Sequence, residues 1–123
     1  MDRPWGKWTR LYMDDQVELR LLEVEPGGFC TLHRHEHQAN IFAVISGGLL
    51  VTVTREGQDE PAVTQERPLY ASTSPLKIWP GDVHRFRAKE GRVVAYELNI
   101  ATGPNPLDPS DSIQLGPAGR DKQ

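Results

Sequence analysis

A chain of 123 residues and 13.8 kDa has room for one hydrophobic core and not for two. A net charge of -3 and a pI of about 5.8 exclude nucleic acid as the main partner. One cysteine, Cys30, excludes an internal disulfide and suits a reducing cytoplasm; with no signal-peptide pattern and no apolar run of spanning length, a soluble cytoplasmic domain without a membrane partner is expected.

In chain order, segments rich in Val, Ile, Thr and aromatic residues fall at 5–12, 16–24, 29–34, 40–46, 49–55, 76–79, 84–87 and 92–100, with a weaker one at 62–66. No window sustains a helical period. Met13-Asp14-Asp15-Gln16 and Glu56-Gly57-Gln58-Asp59 carry hairpin-turn chemistry, and Gly47-Gly48 and Glu90-Gly91 carry that of tighter turns. Short strands at this spacing predict an all-β sandwich or jelly-roll barrel over residues 1–100. Residues 101–123 differ, with Pro104, Pro106, Pro109 and Pro117 interspersed with Gly103, Gly116 and Gly119. This tail is expected to be partly docked, with Ile113-Gln114-Leu115 as a short edge segment, and mobile beyond Gly116. The strand Asn40-Ile41-Phe42-Ala43-Val44-Ile45-Ser46 is apolar on both faces. Its second face needs cover from the other sheet's flank or from another subunit, so a homodimer is expected.

Three of the four histidines carry the chemical signal. His33 and His35 stand two apart at the end of an apolar run, and residues i and i+2 of a strand share a face. His84 follows the turn Trp79-Pro80-Gly81-Asp82 and can meet them from a neighbouring strand. Imidazole is the commonest protein ligand for a divalent transition metal, so these three predict a metal site inside the barrel. The pair His35 and His37 has the same spacing and forms a second possible register. In the first register His37 sits near the barrel mouth as a group behind the ligands, a proton shuttle or a surface residue.

The two histidine segments resemble the paired motifs of the cupin superfamily. The first motif, G-x5-H-x-H-x4-E-x6-G, runs here from Gly27 through His33, His35 and Asn40 to Gly47. The second, centred on P-x-G-x2-H, is matched by Pro80-Gly81-Asp82-Val83-His84, with the proline one position closer. Arg3-Pro4-Trp5-Gly6 and the segment from His35 to Phe42 further resemble the cupin domain of type II mannose-6-phosphate isomerases and mannose-1-phosphate guanylyltransferases. Asn40, Ile41 and Phe42 stand where that family has glutamate, histidine and tryptophan.

The resemblance implies a single-domain cupin jelly roll with a divalent transition metal (iron, manganese, zinc or nickel) on His33, His35 and His84. Asn40 would be a weak fourth ligand or a hydrogen-bond partner of bound water. Because asparagine is neutral and cannot act as a base, such a centre keeps the ion's full charge and favours an anionic, chelating ligand. Glu97, if it faces inward on its late strand, is the candidate acid or base, and Arg20 a candidate holder of an anionic ligand. The function classes left open are an isomerase or lyase on a small sugar-like, keto or carboxylate ligand, a non-haem dioxygenase, and a non-catalytic metal- or sugar-binding cupin. Cys30 alternates out of phase with His33 and is expected to face away from the site. Trp5, Trp8 and Trp79 are expected in core and barrel-lid packing. Arg85, Arg87 and Lys89 read as a solvated row.

Overall fold

The computed structural model describes residues 1–55 and 61–121, and the expected turn Glu56-Gly57-Gln58-Asp59 lies outside the described residues. Thirteen strands follow in chain order: β1 (Asp2–Arg3), β2 (Gly6–Met13), β3 (Val17–Val24), β4 (Gly28–Phe29), β5 (Leu32–Arg34), β6 (Gln38–Ser46), β7 (Leu49–Arg55), β8 (Val63–Leu69), β9 (Leu76–Ile78), β10 (Val83–Arg87), β11 (Val93–Ala101), β12 (Ile113–Gly116) and β13 (Gly119–Arg120). None of the described residues is helical. One sheet runs β1-β2-β3-β11-β6-β9. The other runs β12-β5-β10-β4-β13, with β7 on β10 and β8 on β7. All pairings are antiparallel, and the two sheets close over one core as an all-β jelly roll.

Alternation decides what enters that core. On β11, Val93, Ala95, Glu97 and Asn99 are buried while the residues between them are less so. On β3 the inward set is Glu18, Arg20, Leu22 and Val24. From the facing sheet come Leu49, Val51, Phe86 and Ala88, and Trp5 packs edge-on against Phe86 at 5.0 Å between ring centroids. Trp5 reaches this position through a hairpin turn that the sequence reading places inside a strand: Arg3 pairs with Gly6, and Pro4-Trp5 form the turn between β1 and β2. Gly6 has φ of 146°, and a Cβ there would lie 2.1 Å from the Glu23 carbonyl oxygen, so only glycine fits.

The outer face of β6 carries Ile41, Ala43 and Ile45. Ile41 pairs with Leu98 and Ala43 with Tyr96, which pair onward with Leu19 and Leu21 of β3. The apolar second face expected for this strand therefore extends over three strands, with Ile45 43% and Tyr96 40% exposed.

Two expectations are corrected. Cys30 faces inward: the segment 29–34 is broken between β4 and β5, the break resets the alternation, and the Cys30 sulfur receives the Phe86 amide within the core. Trp79 is 51% exposed at the end of β9, with the Lys77 ammonium 4.0 Å from its ring centroid. The tail wraps the second sheet: β12 pairs with β5, β13 pairs with β4, Leu107 is buried and Ala118 packs on the core.

Candidate metal centre

His33 of β5 and His84 of β10 are direct cross-strand partners, and His35 follows one residue beyond the end of β5. The Gly81 amide donates to the His35 carbonyl at 2.8 Å, fastening the Pro80-Gly81-Asp82 turn to the first histidine segment. Arg55 grips the Asp82 carboxylate with two nitrogens, and that carboxylate also takes the Trp79 amide, so the turn before His84 is braced from outside. One nitrogen from each of His33, His35 and His84 lies within 4.8 Å of the other two.

The far side of each ring fixes which nitrogen faces its neighbours. His33 Nδ1 lies 2.7 Å from the Thr31 carbonyl oxygen, His84 Nδ1 lies 3.1 Å from that of Asp82, and His35 Nδ1 contacts that of Asp111. A carbonyl oxygen has no hydrogen to give, so each Nδ1 carries the proton and donates it. Each Nε2 then holds a free lone pair. Burial lowers all three pKa values, His33 to about 4 and His84 to about 3, so the rings are neutral around pH 7. His35 Nε2 and His84 Nε2 are buried and without a hydrogen-bond partner among the described residues. Three neutral imidazoles with converging lone pairs fit a divalent transition metal.

Beside the histidines a polar chain crosses the inner face of the first sheet. Glu18 pairs in register with Asn99, and Asn99 with Asn40. The Glu18 carboxylate can only accept, so the Asn99 amide nitrogen faces it at 3.0 Å. Asn99 Oδ1 must then accept from the Asn40 amide nitrogen, which turns Asn40 Oδ1 away without a partner among the described residues. Burial pushes the Glu18 carboxyl up, but hydrogen bonds from Asn99, Arg10 and Arg20 outweigh it and hold the pKa low.

A cavity of about 510 Å³ opens onto the cluster, with His33, His35, Gln38, Glu97, Asn99 and Arg20 among its lining residues. Glu97 pairs in register with Arg20 on one side and Phe42 on the other. Burial pushes its carboxyl up to about 7, with Glu18 adding to the rise and Arg20 opposing it. Cys30 also lines this cavity, and burial raises its thiol to about 12. His37 is exposed and is not among the lining residues, because the chain turns after His35 and the Asp111 carboxylate holds the Glu36 and His37 amides.

Three positioning residues were not singled out in the sequence reading. Glu18 looks like any charged strand residue until its partners are known. Asp111 lies in the proline-rich tail, and 76 residues separate it from His35. Thr31 has a spacing signal: a hydroxyl two residues before a ligand candidate can back its ring, and Thr31 Oγ1 is 3.1 Å from His33 Nδ1.

Comparison with known proteins identifies the fold and the family. A mannose-1-phosphate guanylyltransferase of Sinorhizobium fredii is 27% identical over 120 residues, which cover 98% of this chain and 21% of that protein. The chain thus spans about a fifth of this curated relative's length. The capsular polysaccharide assembling protein CapF of Staphylococcus aureus superposes with a TM-score of 0.73 at 19% identity, over 94% of this chain and 31% of that one. Oxalate decarboxylase of Bacillus subtilis superposes with a TM-score of 0.63 at 16% identity, over 82% and 24% of the respective chains. At those identities the structural likeness concerns the fold alone. Residues 1–100 match the family described as mannose-6-phosphate isomerase C-terminal, and the chain therefore belongs to that family of cupin domains.

Proposed function

We propose that this domain binds one divalent transition ion on His33, His35 and His84, with Asn40 Oδ1 as the fourth donor, and acts on a small oxygen-bearing ligand by isomerase- or lyase-type proton transfer. The observation that carries this reading is the convergence of three neutral imidazoles, each held by a backbone carbonyl and each offering its Nε2. The ion, when bound, would supply Lewis-acid polarisation of a ligand oxygen. Glu97 is the group that moves the proton: burial raises its carboxyl to about 7 in the metal-free chain, and it faces the same cavity. It would accept the proton of a hydroxyl-bearing carbon next to a carbonyl and return it to the former carbonyl carbon, while the hydroxyl proton passes to the former carbonyl oxygen, so the exchange is redox-neutral. The family's own description, that of an isomerase, supports this arm over oxygen chemistry.

Elemental analysis of the purified chain beside His84→Ala tests the reading. About one equivalent of manganese, zinc, nickel or iron is expected in the wild type and none in the variant. A wild type that holds no metal even after reloading would remove the proposal. Oxygen consumption by an iron-loaded sample would replace proton transfer with dioxygenase chemistry.

A further inference from the structure

We propose that Arg20 is the anion-binding residue of the cavity, and that the ligand is a monocarboxylate bearing a hydroxyl or keto oxygen on the adjacent carbon. This rests on the reading of the three histidines as a metal centre, which would take that second oxygen. Arg20 lies on the inward face of β3, opposite Glu97 in the register, and its side chain lines the cavity while remaining 20% exposed. Its guanidinium is fixed in two ways. The Nε donates to Glu18 Oε1 at 2.7 Å, and the group stacks 3.9 Å from the centroid of the Trp8 ring. Its two η nitrogens have no hydrogen-bond partner among the described residues, leaving four N–H groups unassigned. Arg20, His33, His35 and Glu97 all line the cavity, so the guanidinium shares it with the cluster and with the candidate base.

A purely structural role for Arg20 does not account for this arrangement. Glu18 has a donor on each oxygen without it, Arg10 at 2.7 Å on Oε2 and Asn99 at 3.0 Å on Oε1. Two guanidinium groups share the Glu18 carboxylate, so with Glu97 protonated one formal positive charge is left at the cavity wall. One unbalanced positive charge with a planar pair of donors matches one carboxylate. A phosphate dianion would bring a second negative charge to a wall that already holds Glu97 and Glu18.

The test uses the full chain loaded with zinc, and titrates lactate, its neutral analogue lactamide, and methyl phosphate by calorimetry. Lactate is expected to bind roughly 10- to 100-fold more tightly than lactamide, the range for a hydrogen-bonded charge. Arg20→Met should weaken lactate binding by about 10-fold or more while leaving lactamide binding and zinc content unchanged. Equal binding of lactate and lactamide, lactate binding by Arg20→Met at wild-type strength, or no lactate binding would each overturn the clamp. Arg20-dependent binding of methyl phosphate tighter than that of lactate would overturn the monocarboxylate assignment. If Arg20→Met does not fold, the lactate-to-lactamide comparison is made on metal-free wild type, where zinc cannot favour the anion, and decides alone. A second readout separates this proposal from the metal reading. The Arg20 Nε–H is held by a buried carboxylate and gives a nitrogen–proton NMR signal, which should shift with lactate and not with lactamide in metal-free protein. A chain that binds no zinc yet shows that shift would remove the metal centre and keep the clamp. No shift would remove the clamp.

Discussion

The two ends of the barrel interior share one alternation and do opposite work. In the first sheet the inward residues form rows across β3, β11 and β6: Glu18, Asn99 and Asn40, then Arg20, Glu97 and Phe42, then Leu22, Ala95 and Val44. In the facing sheet His33, His84 and Val53 form one row and Phe86 with Val51 the next. Polarity therefore changes within two rows, from buried charge and amide to hydrocarbon. At the apolar end, stability comes from area removed from water and needs no partner. At the polar end, each buried group costs free energy unless it is hydrogen-bonded, and the cross-strand chain from Arg10 to Asn40 supplies those bonds. Only Nε2 of His35 and His84, Asn40 Oδ1 and Gln38 Oε1 are left without partners among the described buried side-chain atoms, and all four lie at the polar end. The contrast teaches that the fold's stability and its chemistry are stored in different rows.

The largest effect that can break this division is at the apolar end. Leu22, fully buried between Trp8 and Ala95 in the register, should lose about 2 to 5 kcal/mol of unfolding free energy as Leu22→Ala, read by denaturant titration. Metal content per folded molecule should not change. A loss of metal from the folded variant would show that the rows are coupled.

Glu97 sharpens the contrast through pH. Its carboxyl rises from an ordinary 4.5 to about 7 because burial penalises the charged form. A raised carboxyl binds its proton more tightly in the folded state, so its unfavourable contribution is absent below about 4.5 and grows as pH rises to about 7. In metal-free protein, Glu97→Gln should match the wild type near pH 4.5 and exceed its stability above pH 7 by on the order of 3 kcal/mol. A bound cation would draw the Glu97 carboxyl down, so the gap should narrow on metal loading. Stability curves that stay parallel from pH 4 to 8 would remove the strained carboxyl. Glu18, at the same end, has the opposite sign, since its low pKa adds stability that is lost as pH falls.

Much of this was legible in the chain itself. Period-two alternation and Gly–Pro punctuation mark most of the strands, and the spacing of His33, His35 and His84 marks the cluster that the fold gathers. In the sequence, Glu97 is inward only if the alternation places it so, and Arg20 is as compatible with the surface; the register of β3 against β11 settles both side chains on the cavity side. Parity failed at Cys30 because alternation holds only along an unbroken strand, and nothing local marks the break after Phe29. Trp79 misled for a different reason: its size suggests burial, while the turn that follows places it outside. Pairing partners distant in sequence were illegible, since a charge such as Glu18 or Asp111 has the same local pattern whether solvated or bonded across sheets.

Asp111 gives the smallest and most specific test of the boundary between barrel and tail. Its carboxylate holds the amides of Glu36 at 3.2 Å and His37 at 2.7 Å, while its carbonyl takes the His35 Nδ1 proton. Asp111→Ala keeps the carbonyl and removes the carboxylate, so the turn after His35 loses its anchor and the carbonyl that orients the ring is held less firmly. The stability cost should be about 1 kcal/mol, that of one or two partly exposed hydrogen bonds. Metal affinity, read by competition with a chelator, should fall about 10-fold, the lower end for a group that orients a ligand. Stability and affinity therefore separate at this residue, as they do between the two ends of the barrel. If affinity is unchanged while stability falls, the carboxylate fastens the tail without orienting the ring, and the Asp111 carbonyl and the Gly81 amide suffice to hold His35.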